Sequence, residues 1–86
     1  MKQDLGIKIR EVLDQRGQLA LPAARIGDYD DLYAAGLKSF ATVQVMLALE
    51  GLFNVEFPDD MLTRNTFSSI HNIGEGVSLL KLSEGA

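Results

Sequence analysis

Fifteen consecutive residues, 39–53, carry one charge, Glu50. A run of that length is too long for an ordinary strand and reads as a helix. Val43, Met46, Leu47 and Phe53 form its inward stripe, with Leu49 beside it. Ala41, Gln44 and Gly51 fall on its exposed side, and Asn54 ends it. Any fold for this chain has to be arranged around that element.

Two further helices flank it. In residues 4–16, Leu5, Ile9, Val12 and Leu13 share one face of a 3.6-residue period, while Lys8, Arg10, Glu11 and Asp14 take the other. Asp4 suits the start of this helix and Gly17 its stop. Near the end of the chain Ile70, Ile73, Val77 and Leu80 follow at spacings of three and four, with Thr66 as the N-cap. Gly74 and Gly76 weaken that helix, and residues 83–86 are expected to be disordered.

Between the first two helices, residues 18–38 hold Pro22, Gly27 and Gly36, with Asp28, Asp30 and Asp31 around Tyr29. Apolar Leu19, Leu21, Ile26, Leu32 and Leu37 are interspersed, so this reads as a long loop packed on the core, with a helical turn near Asp31. Loops of this length in small domains are often functional. After the central helix, Val55, Glu56 and Phe57 make an extended link into Pro58, which opens a short helical turn over residues 58–62. No stretch alternates well enough to build a sheet. The expected fold is all-α, a small bundle of three main helices and one short helix with a long first loop. The expected core seam is Ile9, Val12, Val43, Leu47, Phe53, Ile70, Ile73, Val77 and Leu80.

Eighty-six residues allow one domain, here 1–86, and no second core. The absence of cysteine excludes disulfides and thiolate metal sites, and a lone histidine, His71, leaves no room for a zinc site or a serine–histidine triad. A net charge of -4 argues against nucleic acid and anionic membranes. No segment approaches the roughly 20 apolar residues of a membrane span. The opening residues lack a signal peptide's apolar run, so a cytoplasmic location is expected.

Little of the chemistry an enzyme needs is present. Asp59 and Asp60 are adjacent, so on a helix their carboxylates diverge. The Asp28, Asp30 and Asp31 group reads as solvated loop acids; as a cation site it lacks the distal glutamate of a calcium loop. His71 sits at the edge of a buried stripe. Ser39 stands at a helix start, where the plain reading of a serine is a cap. A serine with no base beside it performs no nucleophilic chemistry unaided.

The surroundings of Ser39 carry more. Leu37-Lys38-Ser39-Phe40, Thr42-Val43, Met46-Leu47-Ala48-Leu49-Glu50, Phe53, Val55-Glu56-Phe57-Pro58 and Asp59, at these spacings, resemble the acyl carrier protein family of phosphopantetheine-binding carriers. The resemblance covers about half the chain in detail, residues 31–62. It implies that Ser39 holds a covalent 4′-phosphopantetheine arm and that the chain carries an acyl or aminoacyl group as a thioester, with no catalysis of its own. The implied partners are a phosphopantetheinyl transferase, an acyl- or aminoacyl-activating ligase and a downstream acceptor enzyme, with the carrier acting as a monomer. Leu37, Lys38, Phe40 and Val43, with Met61 and Leu62 on the facing short helix, would form the partner surface.

Two positions depart from the family pattern. Lys38 replaces the usual aspartate before the serine, and Phe40 the usual leucine after it. The helix that follows is often acidic in fatty-acid carriers, and here it is nearly neutral, which counts against a general fatty-acid role. The Gly-Leu-Lys-Ser-Phe-Ala-Thr-Val run, with Met61-Leu62-x-Arg64-x-x-Phe67, looks more like the aminoacyl carriers served by ligases related to seryl-tRNA synthetases. The competing reading is a small helical interaction domain without a prosthetic group, in which Ser39 is only a cap.

Overall fold

The computed structural model describes residues 3–85. Among them are three α-helices, α1 (Gln3–Arg16), α2 (Ser39–Phe53) and α3 (Ile70–Gly85), and two 3-10 turns, Ala23–Arg25 and Asp59–Met61, with no strand. The all-α expectation therefore holds. Helix α1 packs against both α2 and α3.

The amphipathic pattern of α1 placed its inner face correctly. Ile9 and Leu13 are fully buried, Val12 nearly so, and Leu5 packs against the same cluster. The helix stops at Gly17, whose N–H donates to the Leu13 carbonyl at 2.8 Å. The left-handed residue after it is Gln18, not Gly17. Glycine is needed at 17 for another reason: a Cβ there would lie 2.7 Å from the Leu13 carbonyl oxygen.

The long loop is fastened by side chains of α1. Arg10 Nη2 donates to the Ile26 carbonyl at 2.9 Å and pairs with Asp28 Oδ1 at 2.8 Å, while Nε donates to the Ala23 carbonyl at 3.3 Å. Asp14 Oδ1 accepts the Ala23 N–H at 2.8 Å. These contacts hold Ala23 and Ile26 against the core, and Leu32 and Leu37 of the same loop are buried as well. The loop is also tied to the start of α3, through Leu32 N–H to the Ser68 carbonyl and His71 N–H to the Asp28 carbonyl. The acids around Tyr29 are engaged within the chain: Asp28 with Arg10, Asp30 with the Gly27 N–H at 2.8 Å, and Asp31 with the Tyr33 N–H at 2.9 Å. Among the described residues no group of three acids or histidines is placed to hold a metal ion.

Helix α2 is rotated from the expected orientation. Ala41, Val45 and Leu49, spaced by four, are its buried line. Val43 and Leu47, expected in the core, are 49% and 52% exposed, and Ala41, expected outside, is buried. The cause is composition: a helix apolar all round has no polar face to mark which side turns outward. Phe53, expected in the seam, is only partly buried. The core phenylalanines are Phe57 and Phe67, with ring centroids 5.4 Å apart.

Asn54, in the left-handed conformation, ends α2 by donating its N–H to the Glu50 carbonyl. Glu50 then reaches forward, and its Oε2 accepts the Phe57 N–H at 2.9 Å. The one charge of α2 thus holds the following link in place. Glu50→Ala is expected to cost about 1–2 kcal/mol, since a partly buried amide loses a charged acceptor. Urea unfolding measures this, and an unchanged midpoint would contradict the role.

The cap of α3 is Ser69 and not Thr66: Ser69 Oγ accepts the Asn72 N–H at 3.0 Å, while Thr66 bonds with Thr63 in the preceding turn. Ile70, Ile73 and Val77 are buried as expected, and Leu80 packs partly. Gly74 and Gly76 are buried as well. A Cβ on Gly76 would come within 3.2 Å of Met61 Cε and 3.6 Å of the Phe57 ring, so the glycine seats the second 3-10 turn against α3. The helix continues through Gly85, past the point where disorder was expected; Ala86 lies outside the described residues.

Candidate functional site

The site is assembled where the long loop enters α2. Leu37 is 3% exposed and fixes the segment to the core. Its N–H donates to the Leu32 carbonyl at 3.0 Å, closing the turn over residues 32–36. Gly36 makes this possible with a φ of 109°, a conformation that side chains resist, and a Cβ there would sit 3.1 Å from the Ala20 nitrogen. Leu37 therefore belongs to the interior and not to a partner surface, because this anchoring consumes its side chain.

Lys38 follows in extended conformation as the N-cap of α2, and its side chain makes no capping bond. Its carbonyl accepts both the N–H and the hydroxyl of Thr42, at 2.8 and 3.0 Å. Ser39 is then the first residue of the helix, and it is exposed. Free N–H groups of a first helical turn and the helix dipole favour an anion at this position, and Lys38 adds a positive charge beside it. Other serines near the turn to α3 are engaged. Ser68 donates to the Asn65 carbonyl and accepts from Asn72, and Ser69 caps α3.

A groove of about 340 Å³ begins at Ser39 and runs between α2 and residues 62–67. Val43, Met46, Leu62 and Phe67 supply its apolar wall, and Tyr33, Thr42, Thr63 and Arg64 its polar one. The Arg64 guanidinium lies 3.8 Å from the centroid of the Tyr33 ring, and the Tyr33 hydroxyl donates to the Arg64 carbonyl at 3.0 Å. Burial pushes the Tyr33 phenol above its ordinary pKa, against the opposing pull of Arg64. The outer side of α2 continues the surface with Phe40, Val43 and Leu47, all about half exposed or more.

Of the residues expected around the arm, the structure gathers Ser39, Lys38, Phe40, Val43 and Leu62 at one end of the bundle. Met61 is turned inward, packing against the core beside Gly76. Tyr33, Thr42 and Arg64 were not expected as site residues, although Thr42 and Arg64 stand in the motif runs. Arg64 had a signal in its spacing from Met61 and Phe67, but Tyr33 had none, because its place depends on the tight turn ending at Gly36. His71 stacks on Tyr29, with ring centroids 4.6 Å apart, and its Nε2 lies 3.5 Å from Glu75. It is not paired with Ser39. The arrangement presents a hydroxyl and a groove, and it supplies no base to the hydroxyl.

Comparison with known proteins agrees with this geometry. The family described as "Phosphopantetheine attachment site" matches residues 8–75. The chain is 53% identical over 72 residues to an aminoacyl carrier protein of Agrobacterium fabrum, covering 84% of this chain and 87% of that protein. Among solved structures, it is 51% identical to a chain in the complex of an engineered Bradyrhizobium japonicum glycine:[carrier protein] ligase with a carrier protein from Agrobacterium tumefaciens and AMP. The TM-score is 0.83, over 85% of this chain and 97% of that one. A more distant match, 26% identical with a TM-score of 0.77 over 90% and 99% of the two chains, comes from the Bradyrhizobium japonicum ligase with its cognate carrier protein and an analogue of glycyl adenylate.

Proposed function

The chain belongs to the phosphopantetheine-attachment-site family, and we propose that Ser39 is the residue that bears its arm. It is a carrier protein and not an enzyme, and its prosthetic group is 4′-phosphopantetheine. The arm supplies a terminal thiol on which an acyl or aminoacyl group is held as a thioester.

The observation that carries the assignment is the setting of Ser39. It is an exposed serine at the first position of a long helix, preceded by a cap residue whose side chain makes no capping bond. A phosphodiester there would meet the free amides of the first turn and the positive end of the dipole. Lys38 complements the same charge. The chain's own residues hold the attachment point still: Leu37 from below, Thr42 through the Lys38 carbonyl, and Gly36 through the turn. The groove beside Ser39 offers the arm an apolar resting surface along Val43, Met46 and Leu62.

The cargo we assign is an aminoacyl group, loaded by an aminoacyl-activating ligase after a phosphopantetheinyl transferase has installed the arm. The support is the likeness to an aminoacyl carrier protein and to carriers solved with glycine:[carrier protein] ligases. An acceptor enzyme then takes the cargo. No described helix is long and apolar enough to cross a membrane, and we place the carrier in the cytoplasm as a single domain, 1–86. The test is stepwise. After conversion with coenzyme A and a broad-range transferase, the chain is incubated with the ligase, ATP and glycine or alanine. The expected result is a second mass gain, of one aminoacyl group, that is released by hydroxylamine. A chain that accepts the arm but no amino acid from any such ligase would overturn the cargo assignment.

The α2 face also sets the character of the encounter. Its only charge, Glu50, is engaged by the Phe57 amide. Exposed charge pairs are screened within about 8–10 Å at ordinary salt, and apolar contacts are not. Loading is therefore expected to change by no more than about twofold between low and physiological salt. Trimming Phe40 to alanine should slow it far more. A steep salt dependence with an indifferent Phe40→Ala would contradict an apolar interface.

A further inference from the structure

Five of the glycines can be compared by what a side chain would meet, and at Gly27 a Cβ would lie 3.2 Å from the Asp30 carboxylate. Gly17 is crowded by the Leu13 carbonyl, Gly36 has a positive φ, and Gly76 abuts Met61 and Phe57. Gly51 is different: a Cβ there meets nothing within 4 Å. It is exposed, it lies within α2, and Asn54, not Gly51, ends the helix. Alanine would fit the space and favour the helix more. Nothing among the described residues accounts for the glycine.

Its position on the helix supplies the account. Phe40, Val43, Leu47 and Gly51 follow at spacings of three, four and four, which is one face of α2. The face starts beside Ser39 and reaches Gly51 twelve residues on, about 18 Å away along the axis. Three large, exposed apolar side chains thus lead to a position where the helix backbone itself is bare. Glu50 beside it is bound to the Phe57 amide, leaving the face without a free charge.

We propose that Gly51 is a contact point for the aminoacyl-activating ligase, whose backbone lies directly against the α2 backbone there. The inference rests on the aminoacyl-carrier reading above. The occupant is the ligase because carriers 51% and 26% identical to this chain are solved in complex with glycine:[carrier protein] ligases, and the face begins beside Ser39, where the arm starts. Chemistry defines what it presents: an uncharged apolar segment that covers Phe40, Val43 and Leu47 and packs closely at Gly51. A side chain at 51 would stand between the two backbones.

The experiment compares wild type, Gly51→Ala and Gly51→Leu, each converted to the holo form. The ligase is the engineered glycine:[carrier protein] ligase that was solved with the 51% identical carrier. Thermal unfolding of Gly51→Ala should rise, by up to about 4–8 °C, as a helical glycine is removed. Glycylation by Gly51→Leu should show a KM raised about tenfold or more with kcat little changed, and Gly51→Ala should fall between. A better-folded carrier that is more poorly loaded is an outcome a purely structural glycine cannot give. Equal KM values for all three, or a lowered unfolding temperature for Gly51→Ala, would overturn the inference while leaving the carrier reading intact. Failure of wild type to be glycylated would overturn the ligase reading and this inference with it. A wild-type dimer that Gly51→Leu dissociates would assign the face to a second copy instead.

Discussion

Ser39→Ala is expected to abolish both arm attachment and aminoacyl loading while leaving the fold unchanged. Incubation with coenzyme A and a broad-range transferase should add one phosphopantetheine to wild type and none to the variant, by intact mass. The loss should be complete because Ser39 alone stands in the matched motif, and Ser68 and Ser69, the serines at the start of α3, are engaged in the turn before it. The fold should be indifferent because Lys38, not Ser39, is the N-cap, and because Ser39 is exposed. Surface substitutions of this kind stay within about 0.5 kcal/mol. Arm attachment persisting in Ser39→Ala would refute the site. Loss of modification together with loss of the circular dichroism signal would say nothing for Ser39, so the unfolding curve belongs to the same experiment.

Phe57→Ala is expected to cost about 3–5 kcal/mol, the usual range for deleting a buried phenylalanine. A chain of 86 residues has in total about 4–13 kcal/mol, at 0.05–0.15 per residue. The variant should therefore be partly unfolded at 37 °C. Phe57 is 4% exposed, packs at a tilt against Phe67, and lies under the position where a Gly76 side chain would be. Its removal opens a void shared by the link, the second 3-10 turn and α3. Phe53→Ala is expected to lose roughly half as much or less, since its side chain is only partly buried. Urea denaturation of both variants ranks them. A larger loss at Phe53 than at Phe57 would show the core to be elsewhere.

How much of this was legible in the sequence differs from helix to helix. Helix α1 announced its buried face because Lys8, Glu11 and Asp14 marked the opposite one. Helix α2 could be placed but not rotated, because Val43, Val45, Leu47 and Leu49 are equally apolar and the solvent side holds no charged marker. In the fold the line through Ala41, Val45 and Leu49 is the one that is buried. The long loop was readable as packed but not as fastened. Arg10 reaches 13 to 18 residues along the chain to backbone carbonyls and Asp28, and no local spacing encodes that. The cap of α3 was expected at Thr66, and the bond from the Asn72 N–H places it on Ser69 instead. At the proposed site, the place of Ser39 at the start of α2 was legible from the sequence. The Tyr33–Arg64 wall of the groove was not, because it forms between two turns 31 residues apart.

The division of α2 into two apolar faces has an evolutionary consequence. Folding draws on Ala41, Val45 and Leu49, and the positions at 40, 43, 47 and 51 point the other way. The two sets share a helix but few neighbours, so substitutions in one are close to additive with substitutions in the other. On the proposed docking of the loading enzyme at this outer face, a lineage can therefore exchange Phe40 or Leu47 for other apolar residues, and so drift from one loading enzyme to another, with its core intact throughout. Divergence of partner choice in such a helix is limited by the partner's tolerance and not by the carrier's capacity to fold.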